Sequence, residues 1–146
     1  MQAPSVAELK ALREKASLTQ RESAELSGVA EQTWRNGEQL DGRLGRNVYS
    51  IFLLAVDAHP YYRAVQRGGI DVKARLLVPA PTPQELLTAR AKTGLTQVDA
   101  AKMAGLSWRG WQNAEAGLNV MRPAAWVMFL LATGQHPTFE LVKREE

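Results

Sequence analysis

The 146-residue chain contains no cysteine and only two histidines, His59 and His136. Disulfides and thiolate metal sites are therefore excluded, and a reducing, cytoplasmic setting is the expected one. The two histidines lie far apart, each before a proline, and do not form a recognisable ligand set, so neither metal nor cofactor is expected. No apolar run reaches the roughly 18 residues of a membrane span, and the first residues lack the basic-then-apolar pattern of a signal peptide; no membrane partner is expected. Charge of one sign is also scarce: the net charge is +3 and the pI about 9.4. That balance permits a nucleic-acid partner without demanding one. No Ser-His-Asp arrangement, glycine-rich phosphate loop or isolated pair of acids stands out, so no catalytic residue is assigned and the chain is not expected to be an enzyme. Its acidic residues are expected in helix caps and on solvated helix faces.

What the sequence does have is a second copy of itself. Sliding it by 77 positions (97 − 20) lays Gln97 over Gln20 and carries residues 3–67 onto 80–144 without a gap, with roughly a third identical. Leu18-Thr19-Gln20 falls on Leu95-Thr96-Gln97, Gly28 on Gly105, Trp34 on Trp111 and Glu38 on Glu115. Phe52-Leu53-Leu54-Ala55 falls on Phe129-Leu130-Leu131-Ala132, and His59-Pro60 on His136-Pro137. Three segments follow: a first copy over 1–67, a linker over 68–81 and a second copy over 82–146. A unit of about 65 residues buries only about 60 % of its unfolded surface. The copies are therefore expected to pack on each other or on a partner chain.

Within each copy the signals are helical. Ser5 with Glu8, and Thr82-Pro83 with Glu85, open a first helix reaching Lys15 and Lys92. Thr19 with Glu22 is a second capping box; its counterpart, Thr96 with Asp99, is weaker because Asp is shorter. These helices stop at Gly28 and Gly105, residues suited to a left-handed C-terminal turn. A third helix follows Ala30, a poor cap, and Ser107, a good one. A fourth, strongly apolar helix is expected over about 47–56 and 123–133, and a fifth from Pro60 and Pro137 carrying Tyr62 and Val65 or Phe139 and Val142. His59 and His136 read as residues at the start of that fifth helix. The chain is thus expected to be all-α, with two tandem five-helix units. Residues 70–78 of the linker alternate apolar and charged side chains, a strand period. They would lie across the two units, pair with the same strand of a second chain to form a homodimer, or form an ordered irregular connector.

Helix, glycine turn and helix, with Ala24 or Ala101 four residues before the glycine and an apolar residue six after it, is the spacing of a helix-turn-helix. Alanine lets the two helices cross closely, and Trp34 and Trp111 plug the third helix into the core. With the leading Leu-Thr-Gln and the trailing glutamate, each copy resembles the Cro/C1 repressor type, the XRE family. The departure is tryptophan where the family usually has Ile or Val.

The resemblance implies a compact bundle of about five helices whose third helix enters the major groove of double-stranded DNA. Gln20 and Gln97 would bond to phosphate or to a neighbouring recognition residue. Ala30, Glu31, Gln32, Thr33, Arg35 and Asn36 would face the groove in the first copy. Ser107, Trp108, Arg109, Gly110, Gln112 and Asn113 would do so in the second. Gln and Asn suit adenine and Arg suits guanine. Trp108 would stack on a sugar or thymine methyl, or cover a neighbouring helix. Arg43, Arg46 and Arg122 are candidate phosphate anchors. Glu31 would repel phosphate and make the first copy the weaker reader.

The function so implied is a sequence-specific transcriptional regulator, a repressor of a bacterial mobile element such as a plasmid or phage, binding two unlike half-sites of an operator. It would exclude RNA polymerase or contact it directly. Two alternatives stand beside it: a helical protein-interaction adaptor or antiactivator that has lost DNA binding, and a recombination directionality factor that bends DNA.

Overall fold

The computed structural model describes residues 5–40, 44–66 and 76–144. The first copy folds as α1 (Val6–Lys15), α2 (Gln20–Ser27), α3 (Glu31–Gly37), α4 (Arg46–Ala55) and β1 (Tyr62–Gln66). The second repeats the order as α5 (Pro83–Thr93), α6 (Gln97–Ala104), α7 (Trp108–Glu115), α8 (Pro123–Ala132) and β2 (Phe139–Lys143). Among the described residues no helix is long and apolar enough to cross a membrane.

The helix starts follow their side-chain chemistry. Thr19 accepts from the Glu22 amide while the Glu22 carboxylate takes the Thr19 amide, and Thr82 and Glu85 do the same. Thr96 accepts from the Asp99 amide without a reciprocal bond, as the shorter side chain implies. Ser107 caps α7, whereas Ala30 gives α3 no side-chain cap. Gly28 and Gly105 close α2 and α6 in the left-handed region, with φ of 76° and 70°.

The chain departs from expectation after α4 and α8. Pro60 and Pro137 do not start helices; the residues beyond them form β1 and β2, so each copy has four helices and a strand. The reason lies in the histidines. His59 Nδ1 accepts the amides of Tyr61 (3.1 Å) and Tyr62 (3.2 Å), and His136 Nδ1 accepts those of Thr138 (3.2 Å) and Phe139 (3.0 Å). A side chain accepting two successive amides looks in sequence like a helix cap, but here the chain continues extended. With Nδ1 an acceptor, the ring proton of His136 sits on Nε2, which donates to the Leu76 carbonyl at 2.7 Å. Neither histidine is therefore a helix-start residue.

The two strands find each other across the duplication. They form an antiparallel ladder with Tyr62 opposite Lys143, Arg63 opposite Val142, Ala64 opposite Leu141, Val65 opposite Glu140 and Gln66 opposite Phe139. The strand expected over 70–78 lies mostly outside the described residues. Residues 76–78 carry no regular structure and Leu76 is fully buried, while 70–75 lie outside the described residues.

Helices α4 and α8 pack on each other. A core cluster centred on Ile51, Phe52 and Leu54 takes in Val127, Leu131 and Phe139 from the second copy. A second cluster gathers Leu86, Ala101, Trp111, Trp126 and Phe129. Trp34 packs on Phe52 with ring centres 4.7 Å apart, and Trp111 on Phe129 at 4.8 Å. The same aromatic pair is thus built twice, and each packs the third helix of its copy onto the fourth.

Candidate nucleic-acid interface

In each copy the second and third helices pack together around a small residue. Ala24 and Ala101 are buried where α2 meets α3 and α6 meets α7. A larger side chain there would push the helices apart. Trp34 and Trp111 are fully buried, with Gly37 beside the first and Ala114 and Glu115 beside the second, so each third helix turns one face inward and the other outward.

On α3 and its cap, Ala30, Gln32, Thr33 and Arg35 are exposed, and Glu31 and Asn36 half-buried. These polar groups are engaged with one another. An Arg35 guanidinium nitrogen lies 2.6 Å from the Glu31 carboxylate, and Gln32 donates to Asn36 Oδ1 at 3.0 Å. On α7 and its cap, Ser107, Trp108, Arg109 and Gln112 are exposed, and Gly110 and Asn113 half-buried. Trp108 keeps 53 % of its surface in contact with solvent. Arg46 at the start of α4 and Arg122 at the cap of α8 are exposed as well, while Arg43 lies outside the described residues.

Gln20 and Gln97 are held from behind. Gln20 donates to Glu38 Oε1 at 3.4 Å. Gln97 donates to Glu115 Oε2, and its own oxygen faces Trp108 Nε1 at 3.5 Å. Gln97 thus touches a recognition-helix residue, Trp108, whereas among the described residues Gln20 meets only the glutamate that follows α3. Trp108, in turn, lies alongside the start of α6 rather than free of it.

The carboxylates behind them were not expected inside the molecule. Glu38 and Glu115 retain only 5 % and 4 % of their side-chain exposure. Arg13 grips Glu38 through Nε at 2.7 Å and a terminal nitrogen at 3.0 Å, and also donates to the Leu18 carbonyl at 3.0 Å. Arg90 meets Glu115 at 2.6 Å and the Leu95 carbonyl at 3.2 Å. Trp34 Nε1 adds a hydrogen bond to Glu38. Burial pushes both carboxyls up. In Glu38 the hydrogen bonds of Arg13 and Trp34 outweigh it, and in Glu115 those of Arg90 and Gln97 do, so both end below the usual carboxylate range. Each pair ties the first helix to the end of the third and fixes the glutamine beside it. The signal for it was available: an arginine and a glutamate 25 residues apart recur unchanged in both copies.

Comparison with protein-family models, curated proteins and solved structures finds no match to this chain.

Proposed function

We propose that the protein is a sequence-specific double-stranded DNA-binding regulator that presents α3 and α7 to the major groove and represses transcription by occupying an operator. The observation that carries this reading is the way the two third helices are mounted. Each buries a single tryptophan and leaves a row of hydrogen-bonding side chains at the surface, on a glycine turn of the helix-turn-helix spacing. Arg109, Gln112 and Gln32 are side chains that discriminate bases by paired hydrogen bonds. Arg46 and Arg122 are exposed at the starts of α4 and α8, where cations can anchor phosphate. The resemblance to Cro/C1 repressors supports the same reading and is the ground for placing the protein in a mobile element. The two-fold copy number supports it too, because a tethered second reader acts at about millimolar effective concentration.

The test is the salt dependence of binding to the upstream region of its own gene. A protein making six to ten phosphate contacts loses about 10³–10⁵ in affinity between 50 and 200 mM salt. Salt-insensitive behaviour, or no binding, would instead favour the adaptor reading, for which the neutralised Glu31–Arg35 pair on α3 is the specific motive.

A further inference from the structure

We infer that one chain of this protein by itself covers an imperfect inverted repeat, and that the half-site under α7 carries most of the base discrimination. The inference rests on the DNA-binding reading above and adds the orientation, stoichiometry and inequality of the two half-sites.

The orientation comes from how the copies meet. In the strand ladder Ala64 lies opposite Leu141, and these two are each other's counterparts under the 77-residue shift (64 + 77 = 141). The pairing runs outward from them symmetrically: Tyr62 meets Lys143, and its counterpart Phe139 meets Gln66, the counterpart of Lys143. Helix α4 packs on α8, again its own counterpart.

The turns are treated in the same reciprocal way. The Asn47 side chain, at the start of α4, donates to the Ala104 carbonyl beside Gly105 at 2.6 Å. A methyl placed on Gly28, the counterpart of Gly105, would stand 3.6 Å from Pro123 at the start of α8. When patch i of one unit touches patch j of the other and j touches i, the relation is a two-fold rotation; a head-to-tail arrangement would join unlike patches.

The copies are therefore related as the protomers of a symmetric dimer are, within one chain. Two readers so related address a duplex in opposite directions, and half-sites in opposite directions form an inverted repeat. Because the chain satisfies this contact internally, it has no call for a second chain to supply the other reader.

The inequality comes from the reading faces. On α3 the charge of Arg35 is taken up by Glu31, and the Gln32 amide by Asn36. Base contacts there must first break these bonds. On α7 the corresponding positions hold Trp108 and Gln112, Arg109 and Asn113, with no carboxylate among them, and among the described residues no side-chain bond ties Arg109 or Gln112 to a neighbour. Arg109 and Gln112 can therefore pair with bases without giving up a side-chain bond.

The experiment is selection from a random-sequence duplex library with the full chain, followed by native mass measurement of the selected complex. The expected result is two unlike elements in opposite orientation at one fixed spacing, near one helical turn, with one chain per duplex. In that site Gln112→Ala and Arg109→Ala should each cost about 10-fold in affinity and relax one base position, while Gln32→Ala costs about 2-fold. Direct repeats, a single element, two chains per duplex, or a greater loss from Gln32→Ala than from Gln112→Ala would overturn the inference and leave the DNA-binding reading standing. Failure to enrich any sequence would overturn both.

Discussion

The two copies share one backbone and one set of buried contacts although only roughly a third of their aligned residues are identical. Both bury a tryptophan against a phenylalanine, both clamp an arginine to a glutamate, and both cap a strand with a histidine. On the outward face of the third helix they diverge: Glu31 stands where Trp108 does, and Thr33 where Gly110 does. The shared set is what a stable unit needs. Under the proposed DNA-binding function, the divergent set would let the two copies read unlike sequences. The comparison also makes each copy the control for the other.

The largest effect is expected at the buried ion pairs. Removing the carboxylate strands an arginine inside the protein, a change that typically costs about 3–5 kcal/mol. Arg13 is the more enclosed, with 15 % of its side chain exposed against 25 % for Arg90. Glu38→Ala should therefore cost about 5 kcal/mol and Glu115→Ala about 4 kcal/mol in urea unfolding. Equal or reversed costs would break the claim that the first copy relies more on its clamp.

Next come the turns. Both Gly28 and Gly105 hold left-handed backbone, which costs an L-residue about 1–2 kcal/mol. Their surroundings differ. A methyl on Gly28 would meet the flexible Leu77 methyls at 3.2 Å, whereas one on Gly105 would overlap the Asn47 carboxamide, itself bonded to the Ala104 carbonyl. Gly105→Ala should cost about 3 kcal/mol and Gly28→Ala about half that. Adding Asn47→Ala to Gly105→Ala should recover part of the difference, which a double-mutant cycle would measure.

Acid should act in two stages. Burial, with the nearby Arg144 charge, holds His59 below the ordinary imidazole value of 6.5. A depressed pKa means the unfolded chain binds the proton first. The stability due to neutral His59 is therefore present above about pH 6.5 and is lost as pH falls through the lower folded value. Protonation of Nδ1 also removes the acceptor of two strand amides. The clamped glutamates follow the same sign lower down, their contribution present above the usual 4.5 and lost below it. Unfolding midpoints measured from pH 8 to 5 should fall below pH 6.5, and less steeply in His59→Asn, which keeps an acceptor and cannot titrate. An unchanged slope in that variant would assign the pH dependence elsewhere.

The eight helices of the described residues were legible in the sequence because their signals are local: a cap, an apolar spacing and a stop lie within a dozen residues of one another. The strands were not. Tyr62 and Val65, or Phe139 and Val142, three apart, suit a helix face as well as they suit a strand, and a strand's partner lies 77 residues away. Alternation at 70–78 drew attention to the linker, while the pairing strands stand five residues long after prolines that read as helix starts. The candidate recognition residues were legible as a face, since the tryptophan of each third helix marks the side that turns inward. Their unequal engagement was not, because an i to i+4 pairing such as Glu31 with Arg35 is a choice among rotamers that composition does not make.

The smallest effects sharpen the comparison most. Ser17 and Asp57 occupy left-handed backbone, with φ of 58° and 57°, at positions where the second copy has Gly94 and Gly134. By backbone alone, glycine at either should relieve strain, offset in part by the greater freedom it gives the unfolded chain, for a net gain of about 0.5 kcal/mol. Ser17→Gly should show that gain. Asp57→Gly should not, because the Asp57 carboxylate holds Arg144 at 2.7 Å and approaches Arg63 at 3.4 Å, and the Arg144 guanidinium also bonds the Asp57 and His59 carbonyls. Exposed pairs of this kind contribute up to about 1 kcal/mol, enough to cancel the backbone term. A gain at Ser17 with none at Asp57 would mean that the first copy tolerates strain where the side chain ties the end of β2 to the other half of the molecule. Equal gains at both would mean that Asp57 contributes nothing to joining the copies.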